Sequence, residues 1–171
     1  MTSRQTNEHV KWYPVYTLPR NEKKAHIALL SKGIETYLPL RRQLKQWSDR
    51  KKWVDEPFIK SYLFVKIREH EQTEVLMTKG VLRFIYFGGK VASMPERQID
   101  DLKLLLASSV ELEITEENLA PGEKIMIKGG PLKGMAAEVI SYRSQKQLAL
   151  RLESLGCSIV IHMATSFVSR F

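Results

Sequence analysis

Six basic side chains fall within a short stretch of this chain. Arg41, Arg42, Lys45, Arg50, Lys51 and Lys52 lie between Arg41 and Val54, opposed only by Asp49, with Trp47 and Trp53 interleaved. Cations at such spacing can follow a phosphate backbone, and indole rings can stack on unpaired bases. The same residues also suit a solvated hairpin whose tryptophans pack back onto the domain. Other chemistry is hard to assemble. His9, His26, His70 and His162 are scattered without the paired spacing of a metal site. No glycine-rich loop runs into Lys-Ser or Lys-Thr, as a nucleotide-binding loop would. Nothing groups the serines, histidines and aspartates into a nucleophilic set. The chain reads as a non-enzyme with no metal and no cofactor.

Composition agrees with an anionic partner. The 171 residues carry a net charge of +8, with 43% hydrophobic and 27% charged side chains, and the pI is about 9.6. A basic balance of this size favours nucleic acid, although solubility alone would also account for it. Cys157 is the sole cysteine, so no intrachain disulfide can form, which fits a reducing compartment. It sits between Gly156 and an apolar run, as a small packing residue would. The first nine residues lack the apolar core of a signal peptide, and no apolar run reaches membrane-spanning length. The expected location is the cytoplasm.

The elements that must position these residues follow from periodicity. Residues 11–18 read as a strand, with Pro14 suggesting an edge or a bulge. Asn21 can cap a helix to about Lys32 with Ala25, Ala28, Leu29 and Leu30 on its apolar side, and Gly33 suits the position after its end. Ile34 to Leu40 is extended, and the basic segment 43–52 is a hairpin arm or a loop. Residues 58–67 form the strongest strand. A short helix is expected over 71–77, a strand over 81–87, and a helix opened by Pro95 with Ile99, Leu102 and Leu106 inward. An acidic stretch follows: Glu111, Glu113, Glu116, Glu117 and Glu123, with no Lys or Arg among them. It reads as a linker. Short strands then recur at 124–128, 135–142, 147–153 and 158–162. Segment 144–155 has helix-favouring residues, but Leu148, Leu150 and Leu152 alternate at strand period. The division expected is a domain over 8–108, a linker over 109–120 and a second domain over 121–171.

Two motifs carry a resemblance. Residues 121–134 read Pro-Gly-Glu-Lys-Ile-Met-Ile-Lys-Gly-Gly-Pro-Leu-Lys-Gly. Gly122, Gly129, Gly130, Pro131 and Gly134 mark a strand, a sharp turn and re-entry into a second strand, and this resembles the KOW motif that opens small SH3-like barrels. Upstream, Trp12-Tyr13 with its capped helix, the strand from Pro57 to Val65 and the strand from Gly80 to Gly89 resemble the N-terminal domain of NusG-type transcription elongation factors. The four pieces occur in that family's order and span nearly all of the chain from Lys11. Size and the basic insertion are similar to the specialised paralogues, RfaH and the UpxY regulators of surface-polysaccharide operons in Bacteroides-type bacteria. The family usually has Phe-Pro-Gly or Phe-Pro-Asn before the tyrosine of the central strand; here Ile59-Lys60-Ser61 stands in its place.

The resemblance implies an α+β fold, an N-terminal antiparallel sheet with helices plus a C-terminal SH3-like KOW barrel. It implies a monomeric transcription antitermination and elongation factor that binds the β′ clamp helices of RNA polymerase and suppresses pausing or termination. Tyr16, Ile59, Tyr62, Phe64 and Phe84 fall near the clamp-binding patch of the family. From the strand pattern alone, Tyr62, Phe64 and Lys66 face one way and Leu63, Val65 and Ile67 the other, so either face could be core. Arg20, Lys23 and Lys24 fall at the end of the domain that approaches the non-template DNA strand in RfaH-like relatives; a polar helix face is the plain alternative. Nascent RNA is another candidate for the basic arm. The implied KOW partner is a second protein, often a small-subunit ribosomal protein or Rho. A ribosome-associated RNA-binding protein that shares only the KOW barrel is the competing reading. Its barrel would be basic, and residues from Pro121 onward are indeed so, so charge does not separate the two.

Overall fold

The computed structural model describes residues 9–163 and the strand Val168–Arg170. Glu8 and Phe171, which bound the expected domains, lie outside the described residues. The chain divides into two compact units, one through Gln98 and one from Ile99. No helix among the described residues is long and apolar enough to cross a membrane.

The first unit is built on β1 (Lys11–Thr17), α1 (Glu22–Ser31), β2 (Glu35–Tyr37), β3 (Leu40–Gln46), β4 (Lys51–Pro57), β5 (Tyr62–Ile67), α2 (Gln72–Leu76), β6 (Val81–Phe84), β7 (Tyr86–Phe87) and β8 (Lys90–Val91). Four strands make one antiparallel sheet in the order β2-β5-β1-β6. Strand β1 runs against β5 from Lys11↔Ile67 to Tyr16↔Tyr62 and against β6 from Val15↔Phe84 to Thr17↔Val81. Because side chains alternate, this register puts Tyr13, Val15, Leu63, Val65, Ile67 and Phe84 on one face. They form the core with Ala25 and Leu29 of α1 and Val75 of α2.

Proline in a central strand needs a reason, since it cannot donate to a ladder. Pro14 was expected at an edge or bulge. Instead it lies in the middle of the sheet, facing the gap in one ladder: β6 begins pairing at Val15, and the next contact on that side is the bridge between Trp12 and Met94. Helix α1 ends as its sequence predicts. Gly33 adopts φ +78°. Its N–H donates to the Leu30 carbonyl, and the Ile34 N–H reaches back to Leu29, at 2.9 and 3.1 Å. This paired closure satisfies two carbonyls that the helix would leave open. Asn21 does not cap through its side chain, which donates to the Pro19 carbonyl instead.

Helix α3 (Glu96–Ala107) crosses the division between the units and buries Ile99, Leu102 and Leu105; Leu106, expected inward, is half-buried. The second unit continues with β9 (Glu111–Thr115), β10 (Glu123–Ile127), β11 (Ala136–Tyr142), β12 (Gln145–Leu152), β13 (Cys157–His162) and β14 (Val168–Arg170). These form the SH3-like barrel sheet in the order β14-β10-β11-β12-β13-β9. The segment 144–155 is a strand through Leu152, as its alternation indicates, and Ile125, Ile127, Leu148, Leu152, Ile159 and Ile161 are buried. Gly130 and Gly134 take φ +75° and +89°, and the Ile127 N–H donates to Met135 while Gly134 donates back to Ile127. Gly122 is required by space, because a Cβ there would lie 1.6 Å from the Val139 carbonyl oxygen.

One expectation fails in this unit. The acidic segment read as a linker contains β9, which pairs along its whole length with β13. Glu111-Leu112-Glu113-Ile114-Thr115 alternates charged and apolar residues at strand period, so its apolar side has a neighbour to cover.

Candidate functional site

The second face of the first sheet is aromatic and cationic. Pairing sets Trp12 beside Lys66, Pro14 beside Phe64, and Tyr16 beside Tyr62, with Tyr37 next to Phe64 on the β2 side and Arg83 next to Tyr16 on the β6 side. The Tyr16 and Tyr62 rings meet edge to face at 5.2 Å. The Arg83 guanidinium lies 5.3 Å from the centre of the Tyr16 ring, a cation–π arrangement. Tyr16 and Tyr62 are half-buried and Arg83 is exposed. At the other end Lys66 lies over Trp12 and pairs with Glu96 at 2.8 Å.

Three residues expected in a docking patch are not available for one. Phe84 is on the opposite face, where its ring meets Tyr13 edge to face at 6.1 Å in the core. The register Val15↔Phe84 dictates this, and a strand alternation read without its partner cannot reveal it. Phe64 is on the right face but fully buried, stacked on Tyr37 at 6.3 Å. Burial pushes the Tyr37 phenol up to about 12. Ile59 is also buried. Of the expected patch Tyr16 and Tyr62 remain accessible, with Arg83 beside them and Tyr37 and Lys66 half-buried on the same face.

Other exposed apolar groups went unread in the sequence. Residues 81–87 were expected to form one strand, yet pairing stops at Phe84 and Tyr86–Phe87 turns into a hairpin with β8. That leaves Tyr86 and Phe87 62% and 67% exposed.

The basic residues gather around two features. Strands β3 and β4 form a hairpin paired from Leu40↔Pro57 to Gln46↔Lys51. Arg42, Lys45, Arg50, Lys51 and Lys52 are exposed on it and Arg41 is half-buried, its guanidinium 5.7 Å from the Phe58 ring. The tryptophans do not pack back: Trp47 and Trp53 are 55% and 56% exposed, and Arg42 lies over the Trp53 ring. At the base of the hairpin, Arg20, Lys23, Lys45 and Lys60 line an open cavity of about 630 Å³ together with Glu22 and Glu56. Lys23 donates to the Asp55 carbonyl and Lys45 pairs with Glu56, so two of the four cations are already engaged. The site thus joins Arg20 and Lys23 of the α1 end to Lys45 of the arm. Lys24 is exposed on α1 but does not line the cavity.

Lys60 was not foreseen. Its placement depends on the tight bend at Ser61, which takes φ +64°, a conformation that glycine and asparagine adopt more readily. The buried Glu22 carboxylate holds that bend by accepting the Ser61 N–H at 2.9 Å.

No three His, Cys, Asp or Glu residues among those described could hold a metal ion. Burial, aided by the charge of Glu116, pushes the Cys157 thiol up to about 11, so it stays protonated and a poor nucleophile. Burial lowers the His26 imidazole, favouring its neutral form.

Comparison with known proteins gives the site a context. Residues 10–103 match the family model described as transcription termination factor nusG. A solved structure of Thermotoga maritima NusG, described as showing domain interaction, aligns at 19% identity over 95% of this chain and 98% of that one, with a TM-score of 0.53. This likeness shows a shared fold. A chain from the MjSpt4:Spt5 complex aligns at 17% identity over 92% of this chain and 96% of that one, with a TM-score of 0.32, too low to carry a fold argument.

Proposed function

Since the chain belongs to the NusG family of transcription factors, we propose that it is a non-catalytic elongation and antitermination factor that binds RNA polymerase. The observation that supports this most directly is the Tyr16–Tyr62–Arg83 cluster on the second face of the first sheet. Tyrosine and arginine at a partly desolvated patch are frequent energetic centres of protein interfaces. In this reading the first unit faces the polymerase clamp helices, and the barrel, with the acidic segment paired to it through β9, forms a KOW domain for a second protein, a small-subunit ribosomal protein or Rho. The cavity between α1 and the β3–β4 hairpin takes the nucleic-acid role, with Arg20, Lys23, Lys45 and Lys60 at its wall and the remaining basic residues of the arm beyond it. Its anionic ligand is the non-template DNA strand or the nascent RNA. The targets are operons for surface polysaccharides.

The test is capture of core RNA polymerase by the full chain, followed by a pausing assay on a defined template. Tyr62→Ala should weaken capture by about 2 kcal/mol if it is a hot spot, with the fold intact. Phe64→Ala and Phe84→Ala are not equivalent tests, because both remove core volume. RNA binding without polymerase capture would favour the ribosome-associated alternative.

A further inference from the structure

The acidic segment between α3 and β10 is laid along the barrel at successive points. Strand β9 pairs with the outer edge of β13 from Glu111↔His162 to Thr115↔Ser158. Glu113 accepts hydrogen bonds from the Tyr142 hydroxyl at 2.8 Å and from Arg143 at 2.7 Å. Beyond β9, Leu119 is 6% exposed, packed with Ile140, Tyr142, Ala149 and Val160. Register places these four on the face opposite Leu148, Ile159 and Ile161, so Leu119 caps the outside of the barrel sheet. Arg151 then fastens the end of the segment. It donates to the Ala120 carbonyl at 2.8 Å and pairs with Glu138 at 2.7 Å, while Glu138 accepts the Gly122 N–H.

We propose that residues 111–120 are a releasable strap that sets the length of free chain between α3 and β10. With the strap down, only Ser108, Ser109 and Val110 separate Ala107 from β9, which span roughly 10 Å when extended. With the strap up, residues 108–122 are free and can span roughly 50 Å. Most of the barrel core lies outside the strap, which adds only Leu112 and Ile114 beside Ile161 and Ile159. Among the described residues β9 is the terminal strand of the sheet and pairs with β13 alone; its Leu112, Glu113 and Ile114 are half-exposed and Thr115 is buried. The buried Ile125, Ile127, Leu148, Leu152, Ile159 and Ile161 all come from the other strands. Local opening is drawn from segments of this kind, with few buried apolar groups and an unshared edge. Release lengthens the tether and thereby changes the effective concentration at which the barrel meets anything bound near α3. It also uncovers the β13 edge and the apolar floor under Leu119.

Residue-resolved hydrogen exchange and small-angle X-ray scattering on the full-length protein test this. Amides of residues 112–114 should exchange about tenfold or more faster than those of β11 and β12, through an opening that leaves the barrel closed. Leu119→Asp should speed them further and enlarge the maximum particle dimension, while strand chemical shifts persist at 124–127 and 147–152. Exchange of β9 only together with β11 and β12 would overturn the proposal. So would loss of the barrel shifts in both Leu119→Asp and the milder Leu119→Ala, since the segment would then be integral to the fold. Faster exchange with an unchanged particle dimension would overturn the tether role.

Discussion

The chain has two charged excursions, and they end up differently. The β3–β4 arm is basic, and its seven cross-strand pairs stand with both tryptophans in solvent. The segment 111–120 is acidic and lies down on the barrel. Charge density does not separate them, since both read as polar connections. The difference is that the acidic segment carries apolar side chains that find partners: Leu119 is buried against Ile140, Tyr142, Ala149 and Val160, and Leu112 and Ile114 pair with Ile161 and Ile159. Ion pairs then fix what burial has placed: Glu113 with Arg143, and Arg151 with Glu138 around the segment's last residues. The arm has larger apolar groups but no surface beneath them. Docking is decided by a matching apolar contact; surface ion pairs alone contribute little.

The comparison can be broken most sharply at its anchor. Leu119→Ala should cost about 2–5 kcal/mol in chemical unfolding, the range for a buried leucine. Trp47→Ala should stay within about 0.5 kcal/mol, as exposed substitutions do. Equal losses would erase the distinction drawn between the two segments.

A smaller effect should appear in binding. If the arm is exposed in order to stack on bases, Trp53→Ala should weaken single-stranded nucleic-acid affinity by about 1–3 kcal/mol, measured by fluorescence anisotropy. An unchanged affinity would leave the indole without a ligand role. Neutralising Arg50, Lys51 and Lys52 together should reduce the slope of log affinity against log salt by about 2 to 3, close to one per lost phosphate contact. The same substitutions should leave β9 exchange untouched.

The mildest probe is acid. The Tyr142 hydroxyl first, then Arg143 and His162, hold the Glu113 carboxyl below its ordinary value. For Glu138 the Arg151 guanidinium does so first, with the Gly122 N–H and the Lys124 charge adding to it. A depressed folded-state value means that each carboxylate's contribution is complete above the unfolded value of about 4.3 and is lost as pH falls through the lower folded value. The stability these two carboxylates lend should therefore hold steady down to about pH 5 and fall only below about pH 4, followed by NMR of the β9 amides in a His162→Gln background, which removes the neighbouring imidazole. A transition above pH 5 would place the sensitivity elsewhere.

Much of the fold was legible because it is local. The alternation of Tyr62 to Ile67 gave the two faces of the central strand, Gly33 gave the end of α1, and the glycine-proline turn gave the β10–β11 connection. What was not legible depended on pairing between distant segments. Phe84 alternates correctly within its own strand, but only the register against Val15 shows that it faces Tyr13. Phe64 lies on the predicted face, yet its accessibility is decided by Tyr37 from β2. Lys60 joins the basic cavity only because Ser61 bends the chain back toward Glu22. Strand β9 was visible as a two-residue period, hidden under its glutamates.

The isolation of the arm has a consequence for the protein's own solubility. Strands β3 and β4 pair only with each other among the described residues, so the ribbon offers two open backbone edges and two exposed indoles. Such a ribbon would normally invite a second copy to add a strand. Here Lys45 stands directly across from Lys52, a like-charge pair that costs the hairpin something. A second ribbon approaching edge to edge would bring further lysines and arginines against them. The positive charge that suits the arm to an anionic ligand also acts as its guard against self-association, and covering that charge with a polyanion removes the guard only where a ligand has taken its place.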